Sequence, residues 1–385
     1  MLHQHFKTPS GGGAIRSYYL ARALVDRGHR VVIITTHNEK KRRTANVEGL
    51  EVLYLPIPYD NRFGFYRRAW SFIRYVIATF GAVSEFKDFE KCYAISAPLT
   101  VGLSARWIKF RYGIPYFFEV GDLWPDAPIE MGILKNSLLK IIFFRLERSI
   151  YQHASLIVAL SPEIQQVIEQ RVSGKKVVWI SNMADCEFFL PEAKDSRLEE
   201  RFHVKGKFVV SYMGAMGEAN GLDYFLACAE ISNKITPAIE FVLCGDGARL
   251  KELKSSAAKM GLTNIQFIDF VNRDGVKELM NVTDAIFVCY KNVRILETGC
   301  PNKYFDGLAG GKMMIINFAG WIRKEMEENG CGVYVDPDRP DDFEKKISQL
   351  LLDPRRQKSI RLASRELAER KYSRHILGEA FAALF

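Results

Sequence analysis

Paired cysteines are missing from this sequence of 385 residues. Its seven cysteines form no Cys-x-x-Cys pair, and their number is odd. Both features argue against a disulfide framework and against a structural zinc site, and they favour a reducing compartment such as the cytosol.

Long apolar runs are missing as well. No stretch reaches the length of a transmembrane helix without a charged residue, and the first residues lack the basic and then apolar pattern of a secretory signal. We therefore expect any association with a membrane to be peripheral.

The sequence also lacks histidine, cysteine and carboxylate residues at the spacing of a metal site. Asp336-Pro337-Asp338 spells a pattern that chelates divalent metals in some enzymes, but it ends a late predicted strand and leads into a helix. That position is typical of turn and N-cap residues. We predict that the protein needs neither a metal nor another cofactor.

The composition that remains is that of a globular protein, with 48% hydrophobic and 26% charged residues. The length exceeds one comfortable core, so we expect two domains. Positive charge is concentrated in the first half: residues 1–190 carry 25 Lys and Arg against 17 Asp and Glu, whereas residues 191–385 carry 29 against 28.

The first half alternates strands and helices. Residues 2–4 are expected to end a first strand, and Gly11, Gly12 and Gly13 open a helix that Gly28 ends. The glycine run lacks both the G-x-G-x-x-G spacing and a following Gly-Lys-Ser/Thr, so a flexible turn is an alternative. Further strands are predicted at 30–35, 52–55, 92–95, 116–120, 156–159 and 177–180.

The alternation restarts after residues 186–207, a charged segment without clear period that we interpret as a linker. Strands are predicted at 208–213, 240–244, 265–268, 285–288, 313–316 and 332–335, with helices between them. The expected fold class is α/β, with two doubly wound, Rossmann-like domains over residues 1–185 and 208–372 that face each other across a cleft. A last helix, 373–385, is expected to pack back on the first domain.

Residues 297–316 (ETGCPNKYFDGLAGGKMMII) predict a tight loop, a short helix and a buried strand. Pro301 suits the first helical position, so the preceding residues would lie beside free N–H groups that favour an anion. Lys303 and Asp306 are spaced i, i+3 and share one helix face, where they could reach a phosphate and a pair of sugar hydroxyls. The alternative is a solvated ion pair.

Two helical stretches combine cations with large apolar residues. In 65–83, Arg67, Arg68 and Arg74 accompany an apolar stripe, and 138–150 has a similar mixture. Attraction to an anionic membrane surface is one interpretation, and solvated cations on ordinary domain helices are the other.

Carboxylates and a tryptophan follow the strand predicted at 116–120. A carboxylate such as Glu119 at the end of a strand, with Trp124 after it, suits recognition of a sugar by hydroxyl acceptors and an aromatic face. Asp122 is the best-placed group to orient or deprotonate an acceptor. Alternatively, Asp122 caps the next helix and Trp124 belongs to the core.

Several segments together resemble glycosyltransferase family 4, whose members are retaining enzymes with the GT-B fold. They are residues 11–35, ISNMAD at 180–185, SYMGAMGEANGLD at 211–223, VLCGDGARL at 242–250, and 297–316. FFEVGDLWPDAP at 117–128 is most similar to a branch of bacterial surface-polysaccharide enzymes that includes N-acetylfucosamine transferases.

The resemblance implies roles for matching positions. Asp306 would bind the nucleotide ribose, where Glu is usual in the family. Gly12 and Gly13 of the first loop would approach the donor phosphates or the acceptor, and Asn182 would lie at the cleft edge. The other loop residues expected to meet the donor are Gly214, Gly245, Asp246 and Gly247.

Two departures concern charge. Family members commonly carry Arg and Lys where this sequence has Ala215 and Asn220, so another group must neutralise the donor diphosphate. Lys303 is the first candidate and Arg294 the second, helped by the N–H groups of Thr298 and Gly299. The acidic residue that opens the Glu-x7-Glu pattern of the family would fall near Thr298, with Glu297 one place away, and either could face the sugar.

These features predict an enzyme that moves an N-acetylated sugar from a UDP-sugar to a lipid-linked saccharide, in O-antigen or capsule biosynthesis, at the cytoplasmic face of the cell membrane. The catalytic residues would be Asp122 and Lys303, and no nucleic acid is involved. A nucleotide-sugar epimerase of the same fold and a non-catalytic binding subunit are the alternatives.

Overall fold

The computed structural model describes residues 1–11, 15–60, 63–86, 88–96 and 98–385. The first domain has two groups of paired strands, in the orders β2-β3-β1 and β4-β5-β6-β7. The described pairs are parallel except for that of β2 with β3, which is antiparallel. The strands are β1 (Val32–His37), β2 (Arg43–Val47), β3 (Leu50–Pro56), β4 (Cys92–Ile95), β5 (Tyr116–Val120), β6 (Leu156–Ala159) and β7 (Val177–Trp179).

Leu2 connects the two strand groups, because it forms parallel bridges to Ile34 of β1 and Ala94 of β4. The predicted first strand is therefore present as this bridging residue, and the residues after it enter the space beyond the carboxyl ends of β1 and β4. The helices of this domain are α1 (Arg16–Asp26), α2 (Phe65–Val83), α3 (Val101–Tyr112), α4 (Asp126–Glu130), α5 (Ser137–His153) and α6 (Pro162–Arg171).

The second domain has a fully parallel sheet in the order β10-β9-β8-β11-β12-β13, which is doubly wound from β8 outwards. Its strands are β8 (Phe208–Met213), β9 (Ile239–Cys244), β10 (Ile265–Ile268), β11 (Ala285–Val288), β12 (Met313–Ile316) and β13 (Gly332–Tyr334). Its helices, with one in the linker, are α7 (Ser196–Arg201), α8 (Leu222–Ile235), α9 (Leu250–Lys259), α10 (Arg273–Val282), α11 (Asn302–Ala309), α12 (Trp321–Asn329), α13 (Pro340–Leu351) and α14 (Pro354–Leu367). The prediction of two doubly wound α/β domains is confirmed.

Three local features differ from the predictions. β2 was not predicted, because it is a largely exposed edge strand without an apolar run. Pro301 is the N-cap of α11, and the helix begins at Asn302, so the expected first-turn position for this proline is wrong. The linker contains α7, whose N-cap Asp195 accepts a hydrogen bond from Arg197 N–H.

The chain crosses back at its end. After a π-helical turn at Ala368–Tyr372, α15 (Arg374–Ala382) packs against α1 of the first domain. Phe381 is fully buried there, with its ring 4.8 Å from that of Tyr93. Beside this crossing, Ala184 N–H donates to the Tyr372 carbonyl at 2.7 Å, so the two interdomain connections are paired.

A segment of the second domain also enters the first. The short 3-10 turn Arg294–Thr298 places Ile295 in the apolar core under α4 and α6, and Ile295 N–H donates to the Glu130 carboxylate at 3.0 Å. Within the described ranges, no helix has both the length and the apolar character needed to cross a membrane.

Candidate functional site

A cavity of about 870 Å³ lies between the two domains, where the loops at the strand carboxyl ends meet. The second domain contributes the loops after β8 and β9 and the start of α11, whereas the first contributes the residues after its bridging strand and α1. Open α/β sheets bind their ligands at this edge.

Glycine backbone forms the wall on the side of the second domain. Gly214 N–H donates to the Cys244 carbonyl, and Met216 N–H donates to that of Asp246, both at 2.9 Å, so the loops after β8 and β9 are joined. Gly245 has φ +140°, and a Cβ there would lie 2.0 Å from the Gly214 carbonyl oxygen. The close approach of these loops therefore requires glycine and exposes bare backbone to the cavity.

Lys303 extends from the first turn of α11 into this cavity. Its ammonium lies 3.1 Å from the Tyr212 hydroxyl and 4.2 Å from the centre of that ring. Among the described residues no carboxylate pairs with it, and burial lowers its pKa to about 8. The lysine is thus a cation without a counter-ion, placed beside Gly214.

Asp306 follows one turn later on the same face of α11 and also lines the cavity. Burial raises its pKa to about 7; the nearby Arg273 lowers it and Asp185 raises it further. In the described part of the chain no side chain donates a hydrogen bond to this carboxylate. It can therefore accept hydroxyl protons from a ligand when it is ionised.

Four side chains from four chain segments close one end of the cavity, and we call them the interdomain clasp. Asp185 accepts hydrogen bonds from Tyr19 of α1, at 3.0 Å, and from Arg273 at the start of α10. It also forms an ion pair with Arg374 of α15, at 3.0 Å. The Arg273 guanidinium also lies 3.9 Å from the Phe188 ring centre. The clasp ties both domains and the crossing helix to one buried carboxylate.

Two family models match the chain, one for each domain. Residues 11–183 match the glycosyl transferase 4-like domain, and residues 194–367 match the glycosyl transferases group 1 domain. The chain belongs to the glycosyltransferases.

Solved structures place this glycosyltransferase in the GT-B fold, as predicted. The sucrose-phosphate synthase of Thermosynechococcus elongatus superposes with a TM-score of 0.81 at 13% identity, over 100% of this chain and 96% of its own. The HepE protein of Anabaena, in complex with UDP-glucose, superposes with a TM-score of 0.69 at 16% identity, over 100% and 97%. Among curated proteins, the alpha-D-kanosaminyltransferase of Streptomyces kanamyceticus is 20% identical over 197 residues, about half of each chain.

Six of the residues that the sequence predicts for donor binding or catalysis in this glycosyltransferase lie together around the cavity. They come from two loops and helix α11, which are far apart in the sequence, and they are Gly214, Gly245, Asp246, Gly247, Lys303 and Asp306. Gly12 and Gly13 lie outside the described residues.

Four other predicted donor residues precede α11 and do not line this cavity. Arg294 is exposed at the start of the turn that enters the first domain. The Thr298 hydroxyl donates to the Ile295 carbonyl at 2.8 Å, and the Gly299 N–H donates to the Leu296 carbonyl at 3.1 Å. That amide is therefore already occupied, and Glu297 lies near Glu163 of α6.

The predicted sugar-binding residues lie within the protein framework. Glu119 is 2% exposed, and its carboxylate accepts hydrogen bonds from Arg16, at 3.1 and 3.2 Å, and from Tyr93. Trp124 packs against the core of the first domain. Asn182 is also buried and donates a hydrogen bond to the carbonyl of Cys300, which links the segment after β7 to the loop before α11.

Asp122 differs from these residues, because its side chain is exposed, although it does not line the cavity. Surrounding protein atoms nevertheless exclude enough water to raise the pKa of its carboxyl. Burial and, to a smaller extent, the charge of Asp122 raise the pKa of Tyr290, a residue that lines the cavity, so Asp122 lies near the second domain.

Sequence reasoning missed several residues that line the cavity, including Lys7, Tyr59 and Arg273. One signal was available, since Lys7 and Arg273 each follow a strand by a few residues at its carboxyl end. Asp336 has the turn role expected for it, because its carboxylate accepts a hydrogen bond from Asp338 N–H at 2.9 Å. No group of three or more His, Cys, Asp or Glu side chains that could hold a metal occurs in the described ranges, and the metal-free mechanism stays a prediction.

Proposed function

We propose that this protein is a retaining glycosyltransferase that moves an N-acetylated sugar from a UDP-sugar to a lipid-linked saccharide, in the biosynthesis of a bacterial O-antigen or capsule. Membership of the glycosyltransferases supports the reaction class. The fold shared with the HepE protein, solved in complex with UDP-glucose, supports the donor class.

One observation carries the proposal: Lys303 is a half-buried cation without a carboxylate partner among the described side chains, beside exposed glycine backbone. A buried charge is costly unless an opposite charge accompanies it. A diphosphate supplies that charge, and the accessible carboxylate of Asp306 one turn away suits ribose hydroxyls. Together they match the two polar parts of a nucleoside diphosphate.

The proposed reaction exchanges one glycosidic bond for another. The bond between the sugar C1 and the diphosphate oxygen breaks, and a bond from C1 to the acceptor oxygen forms on the same face. The acceptor proton passes to an oxygen of the leaving diphosphate, while Lys303 stabilises the negative charge that develops there. Asp122 orients the acceptor hydroxyl, and no metal ion takes part.

Peripheral membrane contact and a cytoplasmic location are part of this proposal. α2 presents a stripe of large apolar side chains to solvent, with Arg67 and Arg74 beside it, and α5 exposes Leu138 and Ile141 near Lys140. Apolar residues flanked by cations suit the headgroup region of an anionic bilayer.

Release of UDP is the decisive measurement. The protein is incubated with a panel of UDP-sugars and a bacterial membrane extract, and UDP binding is measured in parallel by calorimetry. We expect acceptor-dependent UDP release that Lys303→Met lowers about 100-fold. Lys312→Met is the matched control, because Lys312 also has a lowered pKa but is fully buried and donates a hydrogen bond to the Asn281 carbonyl outside the cavity.

Absence of both UDP binding and UDP release in the unaltered protein would refute the proposed function. Conversion of a UDP-sugar without acceptor would instead identify an epimerase. Equal UDP release by Lys303→Met and the unaltered protein would show that Lys303 does not hold the diphosphate.

A further inference from the structure

Three ring side chains form a continuous surface on the first-domain side of the cavity, and we call them the aromatic wall. The ring centres of His5 and Tyr59 are 4.2 Å apart, and those of Tyr59 and Phe72 are 5.8 Å apart with planes inclined by 24°. His5 and Tyr59 line the cavity, whereas Phe72 belongs to α2. The wall therefore connects the cavity to that helix.

The aromatic wall has the properties of a binding surface. All three residues are half-buried, so ring surface remains accessible. Burial and the charge of nearby Lys7 lower the pKa of His5 to about 3, which keeps the imidazole neutral at physiological pH. Neutral rings with polar edges pack against the apolar face of a pyranose and can exchange hydrogen bonds with its hydroxyls.

A cation lies next to this wall. Lys7 lines the same cavity and is exposed, and no described carboxylate forms an ion pair with it. It belongs to the first domain, so it lies across the cavity from the lysine of α11. The cavity thus presents one free ammonium on each side, and a single donor diphosphate does not require both.

Helix α2, which carries Phe72, also presents a separate apolar face to solvent. Along α2, large residues recur at helical spacing on one face, with exposed fractions of 87% for Tyr66 and 58% for Trp70. Ile73 and Ile77 continue the stripe over two further turns. Phe72 belongs to the same helix but lies roughly 130° around its axis from this stripe, so the wall and the stripe occupy different faces of α2.

We propose that the aromatic wall and Lys7 form the acceptor subsite, and that its ligand is a lipid diphosphate sugar. The sugar ring packs on His5 and Tyr59, Lys7 binds the diphosphate, and the lipid follows the apolar stripe of α2. This inference rests on the proposed function, and it places the acceptor on residues other than Glu119 and Trp124.

Binding of a synthetic probe tests the subsite. The probe is farnesyl-diphosphoryl-N-acetylglucosamine, compared with farnesyl diphosphate, which lacks the sugar, and with free N-acetylglucosamine. We expect Lys7→Ala and Tyr59→Ala each to weaken probe binding about tenfold, since each removes a charged or aromatic contact. Tyr59→Phe keeps the ring and should bind the probe as the unaltered protein does. Lys41→Ala, an exposed lysine elsewhere on the domain, is the control for charge.

UDP binding by each variant, measured by calorimetry, shows that the variant is folded and that the donor site is intact. Lys7 is exposed, so we expect Lys7→Ala to fold. If this variant binds UDP normally and its affinity for the probe is unchanged, the proposed subsite is wrong. Equal affinity for farnesyl diphosphate and the full probe would also overturn it, because the sugar would then contribute nothing. Tight binding of free N-acetylglucosamine would indicate a soluble acceptor and would contradict the inference. Absence of UDP binding by the unaltered protein would instead contradict the proposed function.

Discussion

The two sides of the cavity are built in different ways. On the side of the second domain, Lys303 and Asp306 belong to one helix, and the glycines beside them follow neighbouring strands of one sheet. On the side of the first domain, His5 and Lys7 come from the segment after Leu2, Tyr59 comes from the loop after β3, and part of that side depends on α2. The comparison shows that a short motif identifies the proposed donor side, whereas the residues of the proposed acceptor side come together only on folding.

The largest expected effect concerns the glycine wall of the second domain. In Gly245→Ala the new methyl group would lie 2.0 Å from the Gly214 carbonyl oxygen, so the two loops would have to separate. We expect UDP affinity to fall about 100-fold, measured by calorimetry. Gly261→Ala is the control, because that glycine also has a positive φ but no atom within 4 Å of the added carbon. Its cost should be about 1 kcal/mol in unfolding free energy, with UDP affinity unchanged.

On the first-domain side, two carboxylates after the same strand should separate stability from activity. Glu119→Gln leaves the buried Arg16 guanidinium without its charged partner, and we expect a loss of about 3 kcal/mol in the free energy of unfolding by urea. Asp122→Asn should change that free energy by less than about 0.5 kcal/mol, because its side chain is exposed, and should lower the turnover number instead. Equal stability of the two variants would contradict the framework role of Glu119.

The clasp that joins the two sides gives a third comparison. Asp185→Asn removes the charge that Arg273 and Arg374 share, and unfolding in urea should show a loss of about 2–3 kcal/mol. Glu187→Gln removes the exposed partner of Arg374 and should cost less than about 1 kcal/mol. Similar losses in the two variants would mean that the clasp contributes little to domain association.

The smallest effect is a pH dependence that belongs to the donor side alone. Lys303, with a pKa of about 8, and Asp306, with a pKa of about 7, are both mostly charged between these values. UDP affinity measured by calorimetry should be highest in that window and fall up to about tenfold per pH unit above it, as Lys303 loses its proton. Lys303→Met should abolish the alkaline decrease, and Asp306→Asn should reduce the acidic one. An alkaline decrease that persists in Lys303→Met would assign it to another group.

The titrations of Lys303 and Asp306 change the stability of the fold in the direction opposite to their effect on UDP affinity. The pKa of Asp306 is higher in the folded chain than in the unfolded one, so the free energy of unfolding falls as pH rises from about 4 to about 7. The folded pKa of Lys303 is lowered, so the unfolded chain binds more protons above pH 8, and stability there rises with pH. Neither group favours the folded state near neutral pH, which is expected of residues kept for ligand binding.

Much of the fold could be predicted because it depends on local pattern. Strands such as β5 and β8 are short apolar runs between turns, and α2 shows a clear apolar stripe, so their positions follow from the chain alone. β2 could not be predicted in this way, since an exposed edge strand carries no apolar signal. For the candidate site, the spacing of Lys303 and Asp306 was sufficient to put both on one face.

The sequence by itself determined the alternation of strands and helices, the two domains, and the shared face of Lys303 and Asp306, because these depend on periodicity within one element. Only the tertiary structure decided which carboxylates are available to a ligand. Glu119 is neutralised by Arg16, 103 positions away, whereas Asp306 has no donor to its carboxylate among the described residues. The tertiary structure also decided that the rings of His5 and Tyr59 are in contact, because contacts between distant residues depend on how the elements pack and not on their spacing in the chain.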